Sequence, residues 1–311
     1  MTSILCVVFA FILILKGGDL LVESSIHLAK KAKIPTIIVG ATVVAIATTF
    51  PEISVSIISG RTGAEEIAVS TALGSMVCNF ALVLGLAFLV SPSKIENKRL
   101  GSKVAFFLIS LVALGVLALD QKLGLVDAVI LVLVFLGFMI FNIVDARNST
   151  PTIQDERLPS WGKTVLQFFI SALAIGFGAN VLVSSIDELS AIMGISEGLL
   201  GVFVISVGTN IPEFVTTMTA IRMGNTEIGI GNIFGASLID ATLLLSLTTF
   251  SKSGRQINIP SKLLLLTLGA LFLITAVIVY PISKKGRSSR LQGGLLLAIF
   301  LAYSLLLTRV V

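Results

Sequence analysis

The sequence predicts an all-α membrane protein: ten transmembrane helices in two inverted five-helix repeats, with helices 2, 3, 7 and 8 broken. Three observations carry this. The chain of 311 residues is 55% hydrophobic and 13% charged, with a mean hydropathy of +1.04, whereas ordinary globular chains carry about a quarter charged residues. Apolar runs near the ~20 residues that cross a bilayer core recur along its whole length. One polar motif also occurs twice, at an offset of 161 residues (213 − 52): GATVVAIATTFPEISVSI from Gly40 and GVFVISVGTNIPEFVTTM from Gly201.

In order, the apolar runs fall near residues 3–28, 34–59, 66–90, 103–119, 124–144, 164–187, 196–221, 227–250, 261–283 and 291–309. No small-residue cleavage site ends the first, which reads as a retained helix. The least apolar connection, Asp145 to Lys163, carries two prolines and several charges. It splits the chain into a first repeat (1–144), a linker on the inner side (145–163) and a second repeat (164–311). Five spans per half bring the second copy into the membrane from the opposite side, so the repeat is inverted about a pseudo-two-fold axis in the membrane plane. With both termini outside, inner segments hold fifteen Lys and Arg and outer ones six, as the positive-inside rule favours. Trp161 and Tyr280 fall at span borders and fit interfacial anchors. Cys6 and Cys78 are isolated within spans and show no metal or disulfide spacing. The net charge of +5 is spread through short loops, so it does not point to nucleic acid.

The second span places Thr48, Pro51 and Glu52 together. Proline cannot donate to the carbonyl four residues back, which here is that of Ala47. An unpaired carbonyl in hydrocarbon costs several kcal/mol. Thr48 and Glu52 share a helix face with the opened turn, so a carbonyl, a hydroxyl and a carboxylate converge. The seventh span repeats the arrangement with Gly208, Thr209 and Glu213. In the third and eighth spans, Gly74–Ser75 and Gly235–Ala236 are expected to loosen the helix, with Asn79 and Asp240 one turn further on. Superposing the halves brings Glu52, Asn79, Glu213 and Asp240 toward one point. An all-oxygen set suits hard cations such as Ca²⁺ and argues against zinc or copper. Three carboxylates can carry a charge of −3. Ca²⁺ with one proton would neutralise them, and so would three monovalent cations. A site that can be filled in either way but should not change sides empty has the logic of an exchanger.

At these residues the chain resembles the cation/Ca²⁺ exchanger superfamily, specifically its prokaryotic sodium/calcium exchanger-like members, over essentially its whole length. The family motif G-T-S-L-P-E reads here as ATTFPE (Ala47 to Glu52) and GTNIPE (Gly208 to Glu213). The motif G-N-x-x-G-S-N-x-x-[ND] reads as STALGSMVCN (Ser70 to Asn79) and GNIFGASLID (Gly231 to Asp240). The resemblance implies antiport of Ca²⁺ against Na⁺ across a plasma membrane by alternating access, the first and sixth helices sliding as a gate. Ca²⁺ and Na⁺ are then the transported ions and the bilayer the surroundings, with no organic cofactor, nucleic acid or obligate protein partner. It makes Glu52 and Glu213 shared ligands, puts Asn79 and Asp240 at the central position, and adds Thr48, Thr209 and the carbonyls of Ala45 and Ser206. Flanking Na⁺ positions would use Thr49 and Ser75, opposed by Asn210 and Ala236. The chain departs from the pattern at four positions. Asn210 stands for a hydroxyl, Ala236 removes one outright, Thr71 replaces an Asn and Ala47 a Gly. H⁺ coupling and a K⁺ requirement therefore stand as alternatives to Na⁺ coupling.

Other polar residues have plainer readings. Lys16, Asp19 and Glu23 are spaced as a salt-bridge ladder on the first span, with an ion-entry path as the alternative. His27 fits a solvated interfacial position, and Asp127, Asn142 and Asn180 fit helix-packing hydrogen bonders. Gly17–Gly18 and Gly176 with Gly178 occupy equivalent places in the halves and would let the first and sixth helices lie close. A channel is disfavoured because the polar residues sit on broken helices, not in a ring around a pore. An intramembrane enzyme is disfavoured because no nucleophile, zinc or cofactor motif is present.

Overall fold

The computed structural model describes residues 2–93, 95, 97–147, 159–193, 208 and 210–307, nearly all of them helical. Helix α1 spans Thr2–Ala32. The second run is α2 (Thr36–Val39), a π-helical turn (Gly40–Val44) and α3 (Ala45–Thr48), followed after Thr49 by α4 (Phe50–Thr62). Next come α5 (Glu65–Val77), a π turn (Cys78–Val83) and α6 (Leu84–Val90), then α7 (Asn97–Leu117), α8 (Leu125–Arg147) and α9 (Trp161–Met193). Helix α10 (Ile211–Arg222) precedes α11 (Thr226–Ile239), a π turn (Asp240–Leu244) and α12 (Leu245–Ser251), and α13 (Ser261–Lys285) and α14 (Arg290–Leu307) follow. Two short strands, β1 (Lys122–Leu123) and β2 (Ile257–Asn258), pair antiparallel.

Among the described residues, seven helices are long and apolar enough to cross a membrane: Glu65–Val90, Leu100–Leu117, Leu125–Arg147, Trp161–Val181, Thr226–Ser251, Ser261–Lys285 and Arg290–Leu307. The bent pair Thr36–Thr48 and Phe50–Thr62 makes an eighth. In their apolar 18-residue windows Glu65–Val90 and Thr226–Ser251 are 78% and 94% buried against 28% for Leu125–Arg147, so the helices carrying Asn79 and Asp240 are far more enclosed than the helix carrying Asp127.

Spans three and eight depart from expectation. They run through Gly74–Ser75 and Gly235–Ala236 without a break, and the irregularity comes later, as π turns starting at Cys78 and Asp240. A π turn widens the helix by one residue and is often found where a helix carries function. Helix α4 and helix α10 end alike. Gly63 (φ +77°) and Gly224 (φ +75°) take the left-handed conformation, and the next residue bonds back: Ala64 N–H to Ser59 O and Asn225 N–H to Ala220 O. That is a Schellman cap, which favours glycine, formed at positions 161 apart (224 − 63).

The chain gathers into two compact units, one of Met1–Pro51 with Asp145–Asn232, the other of Glu52–Val144 with Ile233–Val311. In the first, α1 and α9 pack antiparallel. A Cβ at Gly17 would lie 2.8 Å from Ile175 Cγ1 and 3.1 Å from Ser171 O; one at Gly178 would lie 2.8 Å from Ile14 Cγ1 and 3.1 Å from Ala10 O. Adding 161 to 17, 14 and 10 gives 178, 175 and 171, so the two sets of contacts are the same contact seen from each side. Asp19, expected to pair with Lys16, is instead ion-paired with Arg222, and Glu23 accepts from Gln167 at 3.3 Å. The nearer charge lost because Arg222 reaches Asp19 from α10, a tertiary contact 203 residues away.

In the second unit, Phe80 packs on Phe107 and Phe234 at ring separations of 4.7 and 4.8 Å. Lys103, fully buried, bonds the Asn142 side chain, and Glu65 pairs with Lys252. Asp127 accepts the Gly124 N–H at 2.8 Å, so it caps the start of its own helix and does not join two helices.

In the first unit the Gly40–Val44 turn and the start of α11 touch backbone to backbone. A Cβ at Gly40 would sit 2.3 Å from Ile228 O, and one at Gly231 2.3 Å from Ile37 O. Gly231→Ala is therefore expected to destabilise the protein by about 1–3 kcal/mol, the range of core overpacking. Gly294→Ala, where nothing lies within 4 Å, should be neutral or slightly stabilising. Thermal unfolding in detergent measures both.

Candidate cation site

The break in the second span comes at Thr49. Its backbone (φ −82°, ψ 2°) leaves the helical region after α3, and the flanking helices bend by 47°. Pro51 thus enters the first turn of α4, where a missing N–H leaves no intrahelical bond unmade. The carbonyl that collects donors is that of Ala45. It accepts the Thr49 N–H at 2.9 Å, the Thr49 hydroxyl at 2.7 Å and the Thr48 hydroxyl at 3.3 Å. In the second copy the helix after the motif starts in the same way. Asn210 has φ −89° and ψ 7°, and Pro212 follows in the first turn of α10. Ser206 and Thr209 lie outside the described residues.

These helix starts put Glu52 and Glu213 in the first turns of α4 and α10. The N-terminal end of a helix carries partial positive charge, worth up to about 2 kcal/mol to a partly buried anion. Both carboxylates, and that of Asp240, are 1% exposed. A carboxylate this dry must be matched by hydrogen bonds, an opposite charge or a proton.

In the first unit, Glu213 Oε1 accepts from the Thr49 hydroxyl at 3.4 Å, while Oε2 has no hydrogen-bond partner among the described residues. The Thr48 hydroxyl donates to Asn232 Oδ1 at 3.1 Å. Thr48, Thr49, Asn210, Glu213 and Asn232 are all buried. Thr48, Thr49, Glu213, Asn232 and the Ala45 carbonyl thus form a linked oxygen-rich group. Asn232 was not singled out from the sequence, although it is the Asn of the Gly-Asn pair in the eighth span.

In the second unit, Asn79 and Asp240 meet. The Asn79 amide donates to Asp240 Oδ2 at 3.5 Å, and Asn79 Oδ1 has no partner among the described residues. The two residues are repeat-equivalent, and each lies in a π turn. Glu52, Ser75 and Ala236 belong to the same unit and are buried. Among the described residues no three His, Cys, Asp or Glu side chains are gathered into a metal-holding group. The donors in each unit are instead mostly amides, hydroxyls and carbonyls, which are hard oxygen ligands that suit Ca²⁺ and alkali cations better than soft metals.

The chain matches the family model described as sodium/calcium exchanger protein over residues 2–144 and 163–309. Inner membrane protein YrbG of Escherichia coli is 29% identical over 79% of each chain. Sodium/calcium exchanger MaX1 of Methanosarcina acetivorans is 25% identical over 98% of each. The solved sodium-calcium exchanger NCX_Mj, soaked with Na⁺ and Sr²⁺, superposes with a TM-score of 0.84 at 23% identity, covering 97% of both chains, which speaks for a shared fold. With a family match across nearly its whole length, this multi-pass membrane chain belongs to the sodium/calcium exchanger protein family.

Proposed function

We propose that this protein is a secondary antiporter exchanging Ca²⁺ for Na⁺ across the plasma membrane by alternating access. Its ten spans form two inverted repeats, 1–144 and 164–311, joined by the inner linker 145–163, with both termini outside. The reciprocal antiparallel contact of α1 and α9 and the matched caps and helix starts support that symmetry. The observation that carries the function is the repeated placement of a buried glutamate in the first turn of a helix, in a member of a sodium/calcium exchanger family.

In this reading Glu52 and Glu213 ligate Ca²⁺ with Asn79, Asp240, Thr48, Thr209 and the Ala45 and Ser206 carbonyls. Thr49, Ser75 and Asn210 supply oxygens to flanking Na⁺. Ca²⁺ plus one protonated carboxylate, or three Na⁺, balances the charge of −3 carried by Glu52, Glu213 and Asp240. An empty site would leave that charge in the membrane, where each one costs at least about 2.5 kcal/mol. Crossing empty is thereby suppressed, and the two ions are coupled. The glycine-lined seam between α1 and α9 has small residues where the helices press together, which suits a pair that shifts as a gate.

A second reading, H⁺-coupled Ca²⁺ exchange, is favoured by one observation. Ala236, fully buried, offers no oxygen at the position matching Ser75, so one flanking Na⁺ site lacks a ligand.

In proteoliposomes, an imposed Na⁺ gradient is expected to drive labelled Ca²⁺ uptake, and a pH or K⁺ gradient alone is not. Uptake that follows only the pH gradient selects the second reading, and uptake indifferent to every counter-ion refutes antiport. Glu52→Gln and Glu213→Gln should each lower uptake by about 100-fold or more, as loss of a charged ligand removes several kcal/mol. Undiminished transport in either would refute the ligand assignment.

Thr49→Val keeps the shape of the side chain and removes its hydroxyl. It is expected to weaken Na⁺-dependent thermal stabilisation by about one order of magnitude in concentration. Thr62→Val, which removes an exposed hydroxyl, should leave it unchanged.

A further inference from the structure

Thr48 Oγ1 carries one proton, and Asn232 Oδ1 at 3.1 Å is a nearer acceptor for it than Ala45 O at 3.3 Å. A carbonyl oxygen has two lone pairs, and that of Ala45 already takes the Thr49 N–H at 2.9 Å and the Thr49 hydroxyl at 2.7 Å. Asn232 Oδ1 is thus the nearer and less crowded acceptor for the Thr48 proton. The Asn232 side chain is fully buried, and its Nδ2 has no partner among the described residues. An amide that leaves a donor idle in a dry interior costs about 1–3 kcal/mol, an expense that simple packing would not require. Asn232 is held close to Thr48 by its neighbour Gly231, whose backbone presses on Ile37 O.

We propose that Asn232 is a positioning residue of the cation site: it holds the Thr48 hydroxyl proton, so that Thr48 presents lone pairs to the bound cation. The inference rests on the cation-antiport reading and extends it. A threonine whose proton points at a cation is repelled, whereas one whose proton is held elsewhere is a ligand. Without Asn232 the proton must compete for the Ala45 carbonyl, which is then less available to the cation as well. The matching position in the first repeat is Thr71 (232 − 161), a shorter hydroxyl that has a proton of its own to place. The chain thus carries an amide at this position in one repeat and a hydroxyl in the other.

The test compares Asn232→Leu, close in volume but without an acceptor, with Asn232→Asp, which keeps an oxygen acceptor for Thr48 while replacing the idle Nδ2 with a second oxygen. Glu213→Gln is run alongside. Half-saturating Ca²⁺ for uptake is read in proteoliposomes, and Ca²⁺ affinity by calorimetry on the purified full-length chain. Asn232→Leu is expected to raise half-saturation by about ten-fold, the effect of one lost hydrogen bond, with the maximal rate kept within about two-fold. Asn232→Asp should return half-saturation to within about three-fold of the parent. If Asn232→Leu does not fold, Asn232→Thr, the residue the chain carries at the matching position, should raise half-saturation by about three-fold. Unchanged half-saturation in the Leu or Thr variant would overturn the proposal, and so would Asn232→Asp as weak as Asn232→Leu. If Glu213→Gln exchanges normally, the antiport site itself is misassigned. If Glu213→Gln is inactive while Asn232→Leu binds Ca²⁺ normally, only the positioning role falls.

Discussion

A carboxylate buried among membrane helices needs a partner for its charge, and this chain keeps three of them at 1% exposure. Part of the answer is backbone. Helices begin after Thr49 and after Asn210 so that Glu52 and Glu213 fall in their first turns, where the exposed N–H groups favour negative charge. Proline in that first turn costs no hydrogen bond, which is why a residue that harms a helix interior is tolerated deep in two spans. The rest of the answer is side-chain chemistry. Hydroxyls and amides on neighbouring helices supply bonds that are numerous yet incomplete, with Glu213 Oε2 and Asn79 Oδ1 having no hydrogen-bond partner among the described residues. Buried acceptors left in that condition are costly in a soluble core and more so in lipid. A site that passes cations has a physical reason to keep them.

The repeat explains how one short motif builds so much of the architecture. Matched residues cap α4 and α10 with the same glycine geometry, open π turns around Asn79 and Asp240, and place α1 on α9 through reciprocal glycine contacts. The copies differ at several polar positions, Thr49 against Asn210, Ser75 against Ala236 and Thr71 against Asn232, as well as at many apolar ones. The matched caps and π turns repeat in both copies while these proposed ligand positions differ. That is the pattern expected when the two ends of a binding array serve ions of different charge or different release direction.

Most of the fold was legible because membrane crossing imposes a simple length and polarity rule. The apolar runs at 66–90, 124–144 and 261–283 reappear as helices Glu65–Val90, Leu125–Arg147 and Ser261–Lys285. The candidate site was read from residue types and their offset, since buried Glu, Asn and Asp in apolar segments have few other uses, and the structure buries Glu52, Asn79, Glu213 and Asp240. Local detail was less so. Counting four residues back from Pro51 pointed to the Ala47 carbonyl, on the assumption that the helix runs through the proline; the chain bends two residues earlier, and the donors converge on Ala45. Glycine at 74 and 235 permits irregularity without forcing it, and both helices pass through unchanged. Asn232 and Arg222 were missed as partners of Thr48 and Asp19 because those pairings, 184 and 203 residues apart, depend on tertiary packing that the repeat alone does not specify.

The central claim is that Glu52 and Glu213 ligate one and the same dehydrated cation. Anomalous diffraction from crystals soaked in Sr²⁺ locates such an ion directly, because the metal marks its own position. We expect a single strong peak with oxygens of both glutamates at about 2.3–2.6 Å, as for Ca²⁺-type coordination, accompanied by Asn79 or Asp240. A peak touching only one glutamate, or Sr²⁺ bound elsewhere while both glutamates remain without it, would contradict the claim.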